Sequence, residues 1–329
     1  MRSVLLFSLL VSLVVPAGAH HGVASLGVAG LEGPGAPVEA SSSATLPAGS
    51  WLAYAKLDYA KFELKTSTRD DEGEANAFWM YGVGYGITPS LSAYLFVPFS
   101  TKRTEDNSFT TSGFADPSLM AVLGFKWDEG LRWIPRRESL DEMEDWHFTV
   151  YGGASLPLGD ENVRDVNGDV DPGMSLGFGA PSFSLGLTAT RQWASRVTST
   201  VDVSTIRFTE GEYGGGPDAF SLRFGDETRV NLAGSLRVLT QADRGLRVDL
   251  NLEGNFLRLG RDELEGTGEE GTGGDMIYLV PGFRLFYGAA SVGVGVKVPT
   301  WTDLNEDELQ QGAEGGEDYR LLVSFSTMM

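Results

Sequence analysis

An antiparallel transmembrane β-barrel of about 12 strands is predicted by three features of this 329-residue chain. They are a period-2 alternation of apolar and polar residues, a secretion signal ahead of it, and connectors that alternate between long and short. The alternation is clearest from Leu246 to Phe256, where Leu246, Val248, Leu250, Leu252 and Phe256 interleave with Arg247, Asp249, Asn251, Glu253 and Asn255. Successive side chains of a strand point to opposite faces, so one face here is apolar and the other carries charges and amides. A wall greasy towards lipid and wet towards a lumen needs this pattern about ten residues at a time.

Met1 to Ala19 reads as a signal peptide. Arg2 supplies the charged start, Val4 to Val15 the apolar stretch, and Ala17-Gly18-Ala19 the small-residue cleavage site. That stretch is too short to span a bilayer as a helix, and no later segment offers about 18 uninterrupted apolar residues. Cleavage leaves His20 as the mature N-terminus. The chain has no cysteine, so neither a lipid-anchored cysteine nor a disulfide framework is expected. The expected destination is the outer membrane of a Gram-negative cell. The partners there are the barrel-assembly machinery, outer-membrane lipid and lipopolysaccharide. Without the signal the chain carries 24 basic against 45 acidic residues, a net −21. That sign excludes nucleic-acid binding through phosphates and favours a hydrated, cation-attracting exterior.

Three regions follow: the signal at 1–19, a glycine- and proline-rich segment at 20–49, and the barrel at 50–329. Twelve strands are predicted at 50–64, 75–88, 91–102, 113–127, 146–158, 173–193, 196–209, 219–239, 245–258, 275–287, 290–301 and 317–329. Short connectors at 88–90, 194–195, 241–245 and 287–290 read as periplasmic turns. Long acidic ones at 66–75, 103–112, 159–172, 210–218, 259–274 and 302–316 read as external loops. Residues 128–145 break the rule and read as a short surface helix or a flexible turn. Trp51, Trp127, Trp146 and Trp193 fall at periplasmic strand ends and Trp79 near an external end, as an interfacial girdle requires. Trp301 falls on the inward parity. The prolines at Val97-Pro98, Leu156-Pro157, Val298-Pro299, Asp116-Pro117, Ala180-Pro181 and Val280-Pro281 read as strand ends or bends above the membrane, or else as a bulged wall that opens sideways. Segment 20–49 has no sustained period. It reads as a plug in the lumen or as a loose tail; Val23, Leu26, Val28 and Leu31 favour the plug, because a free tail leaves them in water.

The stretch from His20-His21-Gly22 through Gly33-Pro34-Gly35-Ala36-Pro37-Val38-Glu39, with Gly113-Phe114-Ala115-Asp116-Pro117, Tyr151 to Asp160 and Gly293 to Pro299, resembles the "putative MetA-pathway of phenol degradation" family of outer-membrane proteins. The resemblance implies a barrel related in general plan to long-chain hydrophobe transporters, and passage of aromatic or other apolar compounds. It supplies no catalytic residues. The chain ends Thr327-Met328-Met329, a departure from the aromatic C-terminus usual for assembly.

No enzyme is expected. Gly173-Met174-Ser175-Leu176-Gly177 has the spacing of a nucleophile elbow, but no helix follows it. Gly82-Val83-Gly84-Tyr85-Gly86 has no helix N-terminus to make it a phosphate loop. His147 reads as an interfacial ring beside Trp146. Asp165, Asn167, Asp169 and Asp171 alternate in loop 159–172 like the start of a Ca²⁺ loop, but Leu176 stands where the bidentate Glu belongs, so a solvated acidic loop competes with a calcium site. His20 and His21 with the α-amine could bind Cu²⁺ or Zn²⁺, although two imidazoles make an incomplete site. By parity the lumen receives Lys56, Lys126, Arg223, Arg229, Arg237, Arg247, Arg284, Lys297 and Arg320, against Asp58, Asp116, Asp202, Glu227, Asp249 and Glu253. Nine bases against six acids give +3, so the negative excess belongs to the loops. Cross-strand pairing, notably around Arg229 and Glu253, competes with a selectivity filter. The functional expectation is a channel for small apolar or aromatic solutes. The alternatives are a non-transporting surface barrel whose acidic loops bind cations or lipopolysaccharide, and an accessory of metal efflux.

Overall fold

The structure is a computed structural model that describes residues 36–62, 73–104, 109–135, 144–165, 167–305 and 316–329. The expected signal peptide, His20 and His21 lie outside the described residues. The strands, in chain order, are β1 (Trp51–Phe62), β2 (Gly73–Thr88), β3 (Leu91–Thr104), β4 (Thr110–Phe114), β5 (Ser118–Trp127), β6 (Leu131–Trp133), β7 (Trp146–Ser155), β8 (Ser182–Ala194) and β9 (Val197–Phe208). They continue with β10 (Gly211–Tyr213), β11 (Phe220–Arg223), β12 (Glu227–Gln241), β13 (Leu246–Leu259), β14 (Glu263–Leu264), β15 (Thr267–Gly268), β16 (Gly274–Tyr287), β17 (Ala290–Leu304) and β18 (Glu317–Met328).

Twelve of them close a ring in the order β3-β2-β1-β18-β17-β16-β13-β12-β9-β8-β7-β5, and β5 returns to pair with β3. Every pairing is antiparallel. Trp51 and Met329 exchange N–H···O=C bonds of 2.9 and 2.8 Å, so both ends of the wall meet at the rim that carries the short turns. The two faces have the chemistry that the alternation demands. On β13, Leu250 and Leu252 are 48% and 55% exposed, while Asp249, Asn251, Glu253 and Asn255 are buried inside the ring. The fold is that of an outer-membrane barrel, a lipid-facing cylinder with no open sheet edge along its closed wall.

Several details depart from the sequence expectation. The predicted strand 173–193 begins only at Ser182, because Lys102 Nζ donates to the carbonyls of Gly173 (3.0 Å) and Ser175, and Thr111 Oγ1 to that of Met174 (2.8 Å). Those carbonyls are therefore unavailable for a ladder. Predicted strand 219–239 is cut in two: β11 joins β10, β14 and β15 in a separate four-stranded sheet at the long-loop end. Arg223 consequently pairs with Glu263 in that sheet instead of facing the lumen. Around it Phe178, Phe208 and Phe224 pack with centroid separations of 4.9 and 5.0 Å from Phe178.

Within 128–145, Leu131–Trp133 doubles back as β6 against Phe125–Trp127, so this connector starts as a hairpin extension of the wall. Trp301 is exposed: a register shift between β16 and β17 sets Ile277 opposite Trp301 and Tyr278 opposite Pro299, and this bulge returns the ring to the girdle. His147 is buried on the inward face, Nδ1 3.1 Å from the Asp145 carbonyl, because Trp146 already takes the outward position. Pro281 sits inside β16, opposite Leu252, so it interrupts the wall at mid-strand and not at a rim.

The alternation of connectors sets the orientation. Cysteines introduced at Asn167 and Gly268 should react with an impermeant maleimide on intact cells, and one at Ala242 should not. Reaction at Ala242 alone inverts the topology.

Candidate functional site in the lumen

Residues 36–46 are buried, and inward-facing side chains from strands around the ring bond to them. Glu253 of β13 accepts the backbone N–H groups of Val38 (2.6 Å), Glu39 (3.1 Å) and Ala40 (2.9 Å). Arg284 of β16 donates to the carbonyls of Ala36 (3.3 Å) and Pro37 (2.7 Å). The Glu39 carboxylate stands between Lys56 Nζ (2.7 Å) and Lys297 Nζ (3.3 Å). Val38 packs on Val280 and Leu322. A Cβ on Gly295 would lie 3.2 Å from Val38, so this glycine lets the segment lie close against the wall. Farther along, Ser43 N–H donates to Thr190 Oγ1 (3.1 Å) and Leu46 N–H to Ser92 Oγ (2.8 Å).

Most of the remaining lumen charges pair with one another. Arg320 bridges Asp58 (3.2 Å) and Glu317. Arg229 grips Glu227 on its own strand, Nε at 3.1 Å, so the expected Arg229–Glu253 pairing gives way to a chain-wise pair and a carboxylate given over to the segment. Arg247 Nε lies 3.3 Å from Asp249, with its guanidinium 3.7 Å from the centre of the Phe286 ring. Arg237 lies 3.9 Å from Asp249, and Lys126 3.6 Å from Asp145 near the short-turn rim. Asp202 collects Tyr151 OH, Thr188 Oγ1 and Asn231 Nδ2, each at 2.9 Å.

Adjoining this charged wall along β1 is an apolar one that a wet-lumen expectation misses. Tyr54, Phe78, Met80, Tyr94, Phe96 and Met120 form one buried cluster on the inner faces of β1, β2, β3 and β5, with Ala44 and Leu46 packed on it. The signal was present in the sequence: Phe78 and Met80 share the parity of Gly82, Gly84 and Gly86. Those glycines have a packing role. A Cβ on Gly84 would stand 2.5 Å from the Tyr94 ring, and one on Gly86 2.0 Å from the Pro47 carbonyl oxygen.

Asp116 lies at the break between β4 and β5, and its carboxylate accepts N–H bonds from Leu158 (3.0 Å), Gly159 (2.8 Å) and Phe178 (2.8 Å). It thereby holds both ends of loop 156–181 over the stretch where β4 pairs with β3 alone. Hydrogen bonds to a charged acceptor are each worth about 1.5–3 kcal/mol. Asp116→Ala should therefore loosen this loop, and trypsin should cut after Arg164 at least about tenfold faster while the barrel stays folded. An unchanged cleavage rate removes the anchoring role.

The remaining motifs are accounted for locally. Ser175 Oγ lies 2.9 Å from the carbonyls of both Glu161 and Asp171, a loop-stabilising contact. In loop 159–172, Asp165 Oδ1 accepts the N–H groups of Asn167 (2.8 Å) and Asp169 (2.9 Å), and Asp171 Oδ1 that of Met174 (3.1 Å). Slight burial works against ionisation of Asp165, but those backbone bonds from Asp169 and Asn167 outweigh it and hold its carboxyl below the usual range. Among the described residues no group of three or more His, Asp or Glu converges to hold an ion.

Similarity to known proteins agrees with this architecture. The family described as "Putative MetA-pathway of phenol degradation" matches residues 55–308. An outer membrane channel from Pseudomonas putida F1 is similar in structure, with a TM-score of 0.65 and 13% identity over 87% of this chain and 98% of that one. The β domain of the Bordetella autotransporter BrkA (TM-score 0.44, 10% identity, 86% and 100% covered) and the CymD monoaromatic hydrocarbon channel (0.39, 7%, 86% and 88%) are more distant. No curated protein matches the sequence. With three quarters of its length matched, the chain belongs to the "Putative MetA-pathway of phenol degradation" family.

Proposed function

We propose that this protein is an outer-membrane channel for small apolar or aromatic solutes, and that residues 20–49 are its plug. One observation carries the reading: segment 36–46 crosses from a charged wall that grips it to an apolar, aromatic wall that it covers. Fixed charges satisfied in pairs favour retention of the segment, and the apolar wall offers an arene or alkyl chain the environment it prefers to water. Family membership and the outer-membrane fold are consistent with both parts.

Two measurements test it. Intact cells producing the full chain should take up radiolabelled naphthalene faster than cells without it; equal rates sink the transport reading. Deleting residues 22–45 should raise planar-bilayer conductance while the barrel still folds, as judged by heat-modifiable gel mobility. Unchanged conductance sinks the plug. The alternative of a non-transporting surface barrel draws on an open cleft of about 410 Å³ in the outer sheet, lined by Glu210, Glu212 and Glu265 beside Phe220. It predicts no naphthalene uptake and no conductance in either form.

A further inference from the structure

We propose that the inner face of β1, β2, β3 and β5 is a binding site for a small arene carrying one oxygen, and that Ala44 and Leu46 occupy it until the solute displaces them. The proposal rests on the transport reading and adds a site, a ligand class and a competition between ligand and chain.

Three observations converge on this wall. First, its surface is built for rings. Tyr94 and Phe96 lie parallel, 4° between planes and 5.9 Å between centroids, and Tyr54 meets Phe96 edge-on at 6.4 Å. The row of glycines on β2 lets them lie flat: a Cβ on Gly82 would fall 2.8 Å from Phe96. Met80 and Met120 complete the cluster with thioethers that adapt to irregular partners and attract aromatic edges. Second, the Tyr54 side chain is only 6% exposed and its hydroxyl has no hydrogen-bond partner among the described residues. A buried phenol left unpaired is unfavourable, and a ligand oxygen would pair it.

Third, what covers the wall is held more weakly than the rest of the segment. The charged contacts of Glu253, Lys297 and Arg284 on β13, β17 and β16, with Lys56 at the β1 edge of the ring cluster, grip residues 36–40. Among the described residues, 43–46 are tied by neutral bonds: Ser43 N–H to Thr190, Thr45 Oγ1 to the Pro89 carbonyl (2.6 Å), and Leu46 N–H to Ser92. Neutral bonds are about half as strong as charge-assisted ones. Leu46 itself fills the space over Gly84, where a Cβ would be 2.9 Å from its Cδ1. An arene that takes this place recovers the apolar contact and supplies the oxygen that leucine lacks. Residues 44–46 then swing aside while 36–40 stay anchored.

The test uses the full chain in lipid nanodiscs, free of detergent that would compete, with 1-naphthol and naphthalene as probes followed by calorimetry. Leu46→Ser removes the competing side chain and should tighten both probes about tenfold. Tyr54→Phe should weaken 1-naphthol about fivefold and leave naphthalene unchanged. Because the chain has no cysteine, Ala44→Cys gives a single reporter. Its maleimide labelling should accelerate at saturating 1-naphthol, a readout that does not depend on the folding of the other two variants. Absence of 1-naphthol binding, unchanged affinities in Leu46→Ser, equal effects of Tyr54→Phe on both probes, or a labelling rate of the Ala44→Cys variant indifferent to 1-naphthol each overturn the proposal. Ligand competition without naphthalene uptake by cells overturns the transport reading alone, and uptake without competition overturns this site alone.

Discussion

Alanine in place of Glu253 is expected to release the segment at 38–40 and open the barrel to ions. The Glu253 carboxylate is buried and receives three consecutive backbone N–H groups, those of Val38, Glu39 and Ala40. Truncation removes the acceptor and leaves three donors in a place that water reaches poorly. Allowing for coupling between the bonds, the loss is about 3 kcal/mol, or roughly a hundredfold in the equilibrium between docked and undocked segment. Glu39 remains between Lys56 and Lys297, so the segment loosens about that point without leaving the lumen altogether. A cysteine at Ala40, buried in the parent, should be labelled roughly a hundredfold faster in the Glu253→Ala background, with higher bilayer conductance. Labelling at the parent rate would show that the charge pair at Glu39, and not Glu253, holds the segment.

The wall was legible in the sequence because lipid and lumen impose opposite chemistry on adjacent residues. On β13, and on β17 as far as Val298, this fixes each side chain's face from parity alone. Where the chain leaves the wall, alternation stops being informative. Phe220 and Leu222 alternate with polar residues as well in the outer four-stranded sheet as they would in the barrel. Residues 173–181 look like the start of a strand until Lys102 and Thr111 are seen taking their carbonyls. A bulge is equally silent: one extra residue near Thr300 moves Trp301 to the lipid face, and nothing in the local composition announces it.

For the site, parity placed Glu253, Lys56, Lys297 and Arg284 inward but could not name their partners, which are the main chain and Glu39 of a segment without any period. The expectation that a lumen is wet also concealed the aromatic wall. Tyr54, Met80 and Phe96 stood on the inward parity throughout, as apolar residues on the face assigned to water.

Arginine at Val294 is expected to cost the barrel about 2–4 kcal/mol, the penalty for a cation at the bilayer midplane on the lipid face of a barrel. Val294 lies opposite Phe283 on β16 and Val323 on β18, in the fifth of the 15 positions of β17 and within an outward band that includes Val292, Val296 and Val298. It is well separated from the polar rims, so snorkelling of the guanidinium must stretch a long way or thin the membrane. The control has to add polarity on the lumen side without a clash. Gly293→Ser does not meet that condition, because a Cβ at Gly293 would lie 2.7 Å from Ser324 Oγ and 3.1 Å from the Arg284 guanidinium, disturbing the anchor on Ala36 and Pro37. Ala233→Ser meets it better: Ala233 is inward on β12, beside Thr200 and Glu253, where a hydroxyl finds polar neighbours. Its cost should stay within about 0.5 kcal/mol, as for substitutions that break no specific feature. Urea unfolding of both variants in lipid vesicles checks the pair. Equal losses would mean that lipid does not face Val294, and the inside and outside of the wall would have to be exchanged.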